Sequence, residues 1–237
     1  MNLPRPGDYI DIHTHDARPA AGIFVIENLM AHEDRLPEDD SGFVYSYGIH
    51  PWFLNEKNHN QLISSVENSV NLPNMIAIGE AGFDKLRGPS QELQREVFEE
   101  QVEIAEAHAK PVIIHCVRAW DELLEAHKKA HPKMPWLIHG FRGKKELAAQ
   151  LLSKGMYLSF WFDFVIKPES SGLIKSLPTD RIFLETDGAE VDIREIYKKV
   201  AGDLNISVGE LKAIVLSNFN LFFNQPAPKE GGANNNK

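Results

Sequence analysis

The chain alternates short apolar runs with longer stretches of mixed polarity. Eight of the apolar runs are predicted to be β-strands, because short continuous runs rich in isoleucine and valine are typical of parallel strands buried on both faces. They are Tyr9–His13, Gly22–Asn28, Phe43–Ile49, Met75–Gly79, Pro111–His115, Trp136–Ile138, Met156–Phe160 and Arg181–Glu185.

Helical stretches lie between most of these strands and after the last one. They are predicted over Asn55–Val70, Ser90–Ala109, Asp121–Ala130, Lys144–Lys154, Ile193–Leu204 and Val208–Phe222. Strands that alternate with helices predict a parallel sheet, and eight strands predict a closed α/β barrel of the (β/α)₈ TIM type. The length of 237 residues fits one such barrel, which typically takes about 250 residues.

The first crossover departs from this pattern. The residues HDARPAA between the first two strands are too few for a helix and include a proline. The first crossover helix is therefore predicted to be missing or irregular. Leu36–Ser41 is predicted to be a polar loop, residues 1–223 to form a single domain, and the polar residues 224–237 to be a disordered tail.

Five of the apolar runs end on residues that can bind a metal ion. These residues are His13, His15, Glu80, His115, His139 and Asp187. The carboxyl ends of barrel strands meet at one mouth, where the active sites of such barrels lie. A single histidine at a strand end is more often structural, so the prediction depends on all six residues lying at the same end of their strands. Together they predict a metal centre.

Six ligands exceed the needs of one tetrahedral ion and suit two divalent ions that share a carboxylate. Glu80 is the predicted bridge. His13, His15 and Asp187 would complete one ion's shell, and His115 and His139 the other's. Two such ions can polarise a phosphoryl or carbonyl oxygen and activate a water, and Asp187 is the predicted general base.

Further residues are predicted to support this centre. His50 ends the third strand and is predicted to face the substrate, as a phosphate binder or a proton donor, although a histidine before a proline can simply cap a turn. Arg118 is a candidate for holding a phosphate oxygen, with pairing to a nearby acid as the alternative. Asp11 and Glu185 lie below the ligands and are predicted to orient them.

Composition narrows the function classes. The formal net charge of -9 argues against tight binding to the backbone of duplex nucleic acid and for brief, metal-mediated contact with a phosphate. No apolar run approaches the ~20 residues that cross a bilayer, and the N-terminus has no apolar signal segment. The single cysteine fits a reducing compartment, and the chain is expected to be cytoplasmic. No membrane association and no obligate protein partner are expected.

The motifs in combination resemble those of the TatD family of metal-dependent deoxyribonucleases, within the amidohydrolase group. The matching segments are DIHTH at 11–15, YGIHPW at 47–52, AIGEAGFD at 77–84, KPVIIHC at 110–116, IHGFRG at 138–143 and FLETDG at 183–188. The resemblance implies a barrel hydrolase of phosphodiesters that uses two divalent metals, with the same six ligands and with His50 near the substrate.

The chain departs from this family beside the substrate. The family's proline-containing loop after the last strand is replaced by GAEVD, and its arginine after the fifth strand is replaced by Val117, with Arg118 one place later. Three functions therefore remain open. They are hydrolysis of DNA, single-stranded or at ends; hydrolysis of a lactone, amide or small phosphoester at the same two metals; and metal binding without catalysis. Histidine-rich ligation favours Zn²⁺, Mn²⁺ or Co²⁺ over Mg²⁺, although the resemblance admits Mg²⁺.

Overall fold

The computed structural model describes residues 3–33, 35–37 and 42–224, and its centre is one eight-stranded parallel sheet. The strands follow chain order: β1 Tyr9–Thr14, β2 Ile23–Met30, β3 Val44–Gly48, β4 Met75–Asp84, β5 Val112–Val117, β6 Trp136–Ile138, β7 Tyr157–Trp161 and β8 Ile182–Glu185. The Asp187 amide just after β8 donates to the His13 carbonyl of β1 at 3.1 Å, which brings the first and last strands together. The predicted (β/α)₈ barrel is confirmed.

Within the described residues, eight α-helices surround the strands or cover their ends. They are α1 His59–Ser69, α2 Gln91–Ala107, α3 Trp120–Ala130, α4 Lys145–Ser153, α5 Phe162–Val165, α6 Pro168–Ser176, α7 Ile193–Leu204 and α8 Val208–Phe223. Of these, α5 and α6 were not predicted. The α6 sequence contains a glycine and three serines, and the apolar residues it buries are Leu173 and Ile174, so its apolar stripe is too short to reveal a helical period.

The first crossover contains no helix, as predicted. Residues 15–22 run directly from β1 to β2, and Ile23 and Val25 on β2 stay partly exposed. A groove of about 580 Å³ lies between this connection and residues 186–194, and His15 lines it. The predictions for Leu36–Ser41 and for the tail lie largely outside the described residues.

No single helix in the described ranges has the length and apolar character needed to cross a membrane. The helices α7 and α8, bent by 103° where they meet, pass that test only as a pair, by length and composition.

Tyr197 of α7 hydrogen-bonds the backbone of β1. Its hydroxyl accepts a hydrogen bond from the Ile10 amide and donates one to the Ile10 carbonyl, both at 3.1 Å. Tyr197 is fully buried, and its ring meets that of Tyr9 edge to face. The side chain thus pairs backbone groups that burial would otherwise leave unsatisfied.

Replacing Tyr197 by phenylalanine is expected to lower the free energy of unfolding by about 1–3 kcal/mol, the cost of buried polar groups that lose their partner. Urea denaturation of both proteins measures this difference. Tyr157→Phe is the matched control, because the Tyr157 hydroxyl has no hydrogen-bond partner within the described ranges. An equal loss of stability in both variants would contradict this role of Tyr197.

Candidate metal centre

The structure brings the six predicted ligands together at the carboxyl end of the barrel. His13 lies in β1, Glu80 in β4 and His115 in β5, and His15, His139 and Asp187 lie just after β1, β6 and β8. His13 and Glu80 are buried, whereas His15 and Asp187 keep 28% and 21% of their side-chain surface exposed. The deep side of the cluster is therefore closed, and its outer side is open to a substrate.

The Glu80 carboxylate separates the histidines into two groups. Its Oε2 lies 3.5 Å from His13 Nε2 and 3.8 Å from His15 Nε2. Its Oε1 lies 2.7 Å from His139 Nε2, 2.9 Å from His115 Nδ1 and 3.2 Å from His50 Nε2. One carboxylate with donors on both oxygens has the arrangement of a bridging ligand.

Asp187 completes the first group. Its Oδ1 lies 3.7 Å from His13 Nε2 and 3.8 Å from His15 Nε2. His50 Nε2 also lies near Glu80 Oε1, and His50 Nδ1 accepts a hydrogen bond from the Trp52 amide at 3.1 Å. The ring proton is therefore on Nε2, and this position is compatible with the predicted substrate-facing role of His50.

The donor set fits divalent metal ions. Three sets of three donor atoms lie within 4.8 Å of one another: His13, His15 and Asp187; His13, Glu80 and His139; and His50, Glu80 and His115. Neither ring nitrogen of His13 has a hydrogen-bond partner, although the side chain is fully buried. Buried polar atoms without a partner are rare and costly, and a metal ion would satisfy these. The centre therefore supports the use of divalent metal.

The protonation of the cluster follows from burial and from its own charges. Burial alone would raise the pKa of Glu80, but the charge of His139 and a hydrogen bond with His115 hold it well below its usual value. Burial, followed by the neighbouring His13, lowers the pKa of His15 to about 4, so its ring is neutral and can ligate at neutral pH. Burial raises the pKa of Asp187, against the attraction of His139.

Two carboxylates hold the rings of the second group. Asp84 Oδ2 lies 3.3 Å from His115 Nε2, opposite the nitrogen that faces Glu80. Glu185 Oε1 lies 3.6 Å from His139 Nδ1, and Glu185 itself accepts hydrogen bonds from Ser159 Oγ and the Gly140 amide. Such carboxylate contacts fix the orientation and tautomer of ligating histidines. Glu185 lies where the sequence predicted.

Asp84 was missed by the sequence analysis, although a signal was present. It lies four residues after Glu80, and residues four apart in a strand share one face. The predicted strand ended at Gly79, whereas β4 continues to Asp84. A Cβ at Gly82 would collide with the His115 carbonyl oxygen, so glycine there lets β4 approach β5 closely beside the two groups.

Asp11 supports a different part of the centre from the one predicted. Its carboxylate accepts hydrogen bonds from the Thr186 amide at 3.0 Å and the Thr186 hydroxyl at 2.6 Å, and not from a ligand histidine. The β1–β2 register shifts between Asp11 and Thr14, so regular alternation of faces does not hold there. Asp11 therefore fixes the turn that carries Asp187.

Two buried glutamines of α2 hold the strand ends next to the centre. Gln101 accepts from the Ile49 amide and donates to its carbonyl, which fixes the residue before His50. Gln94 makes the same pair of contacts with the backbone of Asp84. This helix positions two site residues without touching the metal donors.

A cavity of about 250 Å³ opens above the cluster, with aromatic and basic side chains at its rim. Trp52 and Phe53 line it, each 40% exposed. The guanidinium of Arg87 lies 4.3 Å from the Trp52 ring centre, and that of Arg142 lies 5.0 Å from the Trp161 ring centre. Neither arginine forms an ion pair with any described residue.

The structure does not bring Arg118 to this cavity. Arg118 is exposed, does not line the cavity and has a positive φ of 53°. Arg142, just after β6, lines the cavity instead. Arg142 lies in the segment IHGFRG but was not among the predicted site residues.

The barrel fold and the metal-binding cluster define a metal-dependent barrel hydrolase. Comparison with known proteins agrees with this class. Residues 32–224 match the TatD related DNase family. The 3'-5' ssDNA/RNA exonuclease TatD of Cronobacter turicensis is 32% identical over 163 residues, which are 67% of this chain and 62% of that protein. The human 3'-5' RNA nuclease TATDN2 is 30% identical over 71% of this chain and 23% of that protein. The chain belongs to the TatD family.

Solved structures share the fold. The TatD homologue YjjV of Escherichia coli superimposes with a TM-score of 0.73 at 20% identity, covering 94% of this chain and 100% of that one. A TatD-family hydrolase of Entamoeba histolytica gives a TM-score of 0.74 at 18% identity, covering 94% and 99%. The matched part of this chain spans about three fifths of the Cronobacter protein's length.

Proposed function

We propose that this chain is a metal-dependent phosphodiesterase that hydrolyses single-stranded nucleic acid, with two divalent ions bridged by Glu80. The arrangement of donors on both Glu80 oxygens carries this proposal. His13, His15 and Asp187 would hold one ion, and His115 and His139 the other. The relatives named as exonucleases of single-stranded DNA and RNA support the substrate class.

The donors favour some divalent ions over others. Imidazole nitrogens dominate both groups, and they suit Zn²⁺, Mn²⁺ or Co²⁺ better than Mg²⁺, which prefers oxygen ligands and retained waters. Bound there, two divalent ions would polarise a phosphoryl oxygen and lower the pKa of a water molecule.

The chain's own residues supply the proton transfers. Asp187 lies at the open edge of the cluster, and its raised pKa brings it closer to that of an effective base at neutral pH. Its carboxylate would accept the proton of the attacking water. His50 lies between the cavity and Glu80, where it can donate a proton to the leaving oxygen or hold a phosphate oxygen.

The rim favours nucleic acid over a small ester. Proteins that bind single strands combine aromatic side chains, on which bases stack, with cations that follow the phosphates. Trp52 and Phe53 follow β3 and Arg87 follows β4, whereas Arg142 follows β6 and Trp161 ends β7. The two sets therefore lie at different strand ends around the mouth.

The test is hydrolysis of end-labelled single-stranded DNA and RNA oligonucleotides by the purified protein. Mn²⁺, Zn²⁺, Co²⁺, Mg²⁺ and a chelator are compared, with a duplex as the second substrate. Metal-dependent shortening of the single strands is the expected result. Intact oligonucleotides together with turnover of an activated lactone or small ester would replace this proposal with the alternative hydrolase.

Removing a rim side chain is expected to weaken oligonucleotide binding selectively. Stacking on an aromatic side chain contributes about 1–3 kcal/mol per base, so Phe53→Ala should raise KM for the oligonucleotide by about 5- to 150-fold. Arg142→Ala should do the same through lost phosphate contact.

Two controls separate this effect from general damage. Arg118→Ala removes an exposed arginine outside the cavity, and Ile166→Ala removes a side chain 52% exposed elsewhere. Substrates with one abasic position extend the test, because Phe53→Ala should cost nothing further where the stacked base is already gone. If Phe53→Ala raised KM by the same factor whichever position lacks its base, stacking on Phe53 would be ruled out.

A further inference from the structure

A second cavity, of about 260 Å³, lies at the opposite end of the barrel from the metal centre. It is bordered by His127 in α3, the connection into β6, the connection into β7, and Arg181 just before β8. These elements are the starts of β6, β7 and β8, whereas the metal centre lies at strand ends. Nothing in the proposed hydrolysis uses this cavity.

Apart from Tyr157, every ionisable side chain that lines this cavity is basic. The four are His127, Lys133, Lys154 and Arg181, and no aspartate or glutamate is among the lining residues. None of the four side chains forms an ion pair or a hydrogen bond with another residue in the described ranges. Arg181 lies 5.2 Å from the Tyr157 ring centre. Such convergence is unexpected in a chain with a net charge of -9.

Basic residues are common near helix C-termini because they interact with the last carbonyl groups. That explanation does not account for this cluster. No lysine or histidine of the cluster hydrogen-bonds a helix carbonyl within the described ranges. Glu106, which approaches from α2, accepts hydrogen bonds from the backbone amides of Lys133 and Met134 and lines a neighbouring cavity. Lys133 also lines that neighbouring cavity, with Glu99 and Glu103, so the cations without a carboxylate among the residues lining their cavity are His127, Lys154 and Arg181.

Trp136 forms an aromatic wall of the cavity and is 1% exposed. Its ring meets that of His127 edge to face at 4.8 Å. Burial, followed by the positive charge of Lys154, lowers the pKa of His127, which is the response of a cation that has no counter-charge nearby. An anion in the cavity would reverse that repulsion.

We propose that this cavity binds a phosphate group, either free phosphate or a phosphomonoester. A phosphate carries close to two negative charges at neutral pH and offers several acceptor oxygens, and arginine and lysine are its usual partners. A carboxylate has one charge and two oxygens, which match four cations less well. The volume of about 260 Å³ accommodates phosphate with part of an attached group.

Calorimetric titration of the metal-loaded protein with inorganic phosphate, and separately with a nucleoside monophosphate, tests the proposal. Lys154→Ala and Arg181→Ala should each weaken one binding event at least about tenfold, as expected for a lost charge-assisted contact. Lys128→Ala is the matched control, since Lys128 is exposed on α3 and does not line the cavity. Circular dichroism of each variant verifies folding.

The outcomes are distinguishable from those at the metal centre, which none of these residues touches. Unchanged phosphate affinity in Lys154→Ala and Arg181→Ala would overturn the proposal, as would equal weakening in Lys128→Ala. Tighter binding of the nucleoside monophosphate than of phosphate, lost in the same variants, would identify a phosphomonoester as the ligand. Equal affinities would identify the phosphate group alone. Neither result depends on whether the protein cleaves nucleic acid.

Discussion

Asp187→Asn is expected to lower kcat for oligonucleotide hydrolysis by about 10²–10⁴, the usual contribution of a positioned general base. Asparagine keeps the size of the side chain and one oxygen, but it cannot take a proton from water near neutral pH. Because that proton moves in the transition state, kcat should fall while KM changes little. Single-turnover kinetics on a labelled single strand measure the chemical step directly.

The surroundings of Asp187 determine how this result is interpreted. Asp11 and Thr14 hold the turn through Thr186, so the asparagine variant should keep its backbone position. Asp192→Asn is the matched control, because it makes the same substitution at an exposed residue that caps α7, and asparagine also caps helices well. Metal content must be measured in both variants. A kcat that is unchanged with both ions retained would exclude Asp187 as the base.

The chain's strand ends explain why so much of this centre was predictable. In a parallel barrel, a residue at the carboxyl end of a strand faces the mouth wherever that strand lies in the sequence. His13, His115 and His139 therefore converge although more than a hundred residues separate the first from the last. The eight strands were predictable for a separate reason, because each is a short apolar run.

What escaped prediction depends on contacts between distant segments. Asp84 approaches His115 because β4 continues past Glu80, which a local pattern does not show. Asp11 bonds Thr186 because the register of β1 shifts, and register is set by pairing with a neighbour. The place of Arg142 over Trp161 likewise depends on the loop after β6 meeting the end of β7, which happens only in the folded barrel.

Glu80→Gln is expected to abolish the binding of at least one ion and, with it, hydrolysis. Both oxygens of Glu80 face histidine donors, and no other described carboxylate lies between His115, His139 and His50. A glutamine offers one neutral oxygen and would point its NH₂ at one group of imidazoles. Substitutions that merely disturb the hydrogen bonds around a ligand cost about 10–100-fold in metal affinity, so loss of a bridging carboxylate should cost at least as much.

Stability measurements separate this loss of metal from a loss of folding. Glu80 also compensates the positive charge of His139, so the variant should unfold more easily than wild type in the presence of chelator. Added Mn²⁺ should raise the unfolding midpoint of the wild-type protein, because an ion that binds only the folded state stabilises it. The midpoint of Glu80→Gln should rise much less, whereas Glu190→Gln, an exposed control, should respond like wild type. If Glu80→Gln kept two ions and the full Mn²⁺-dependent rise, Glu80 would be excluded as the bridging ligand.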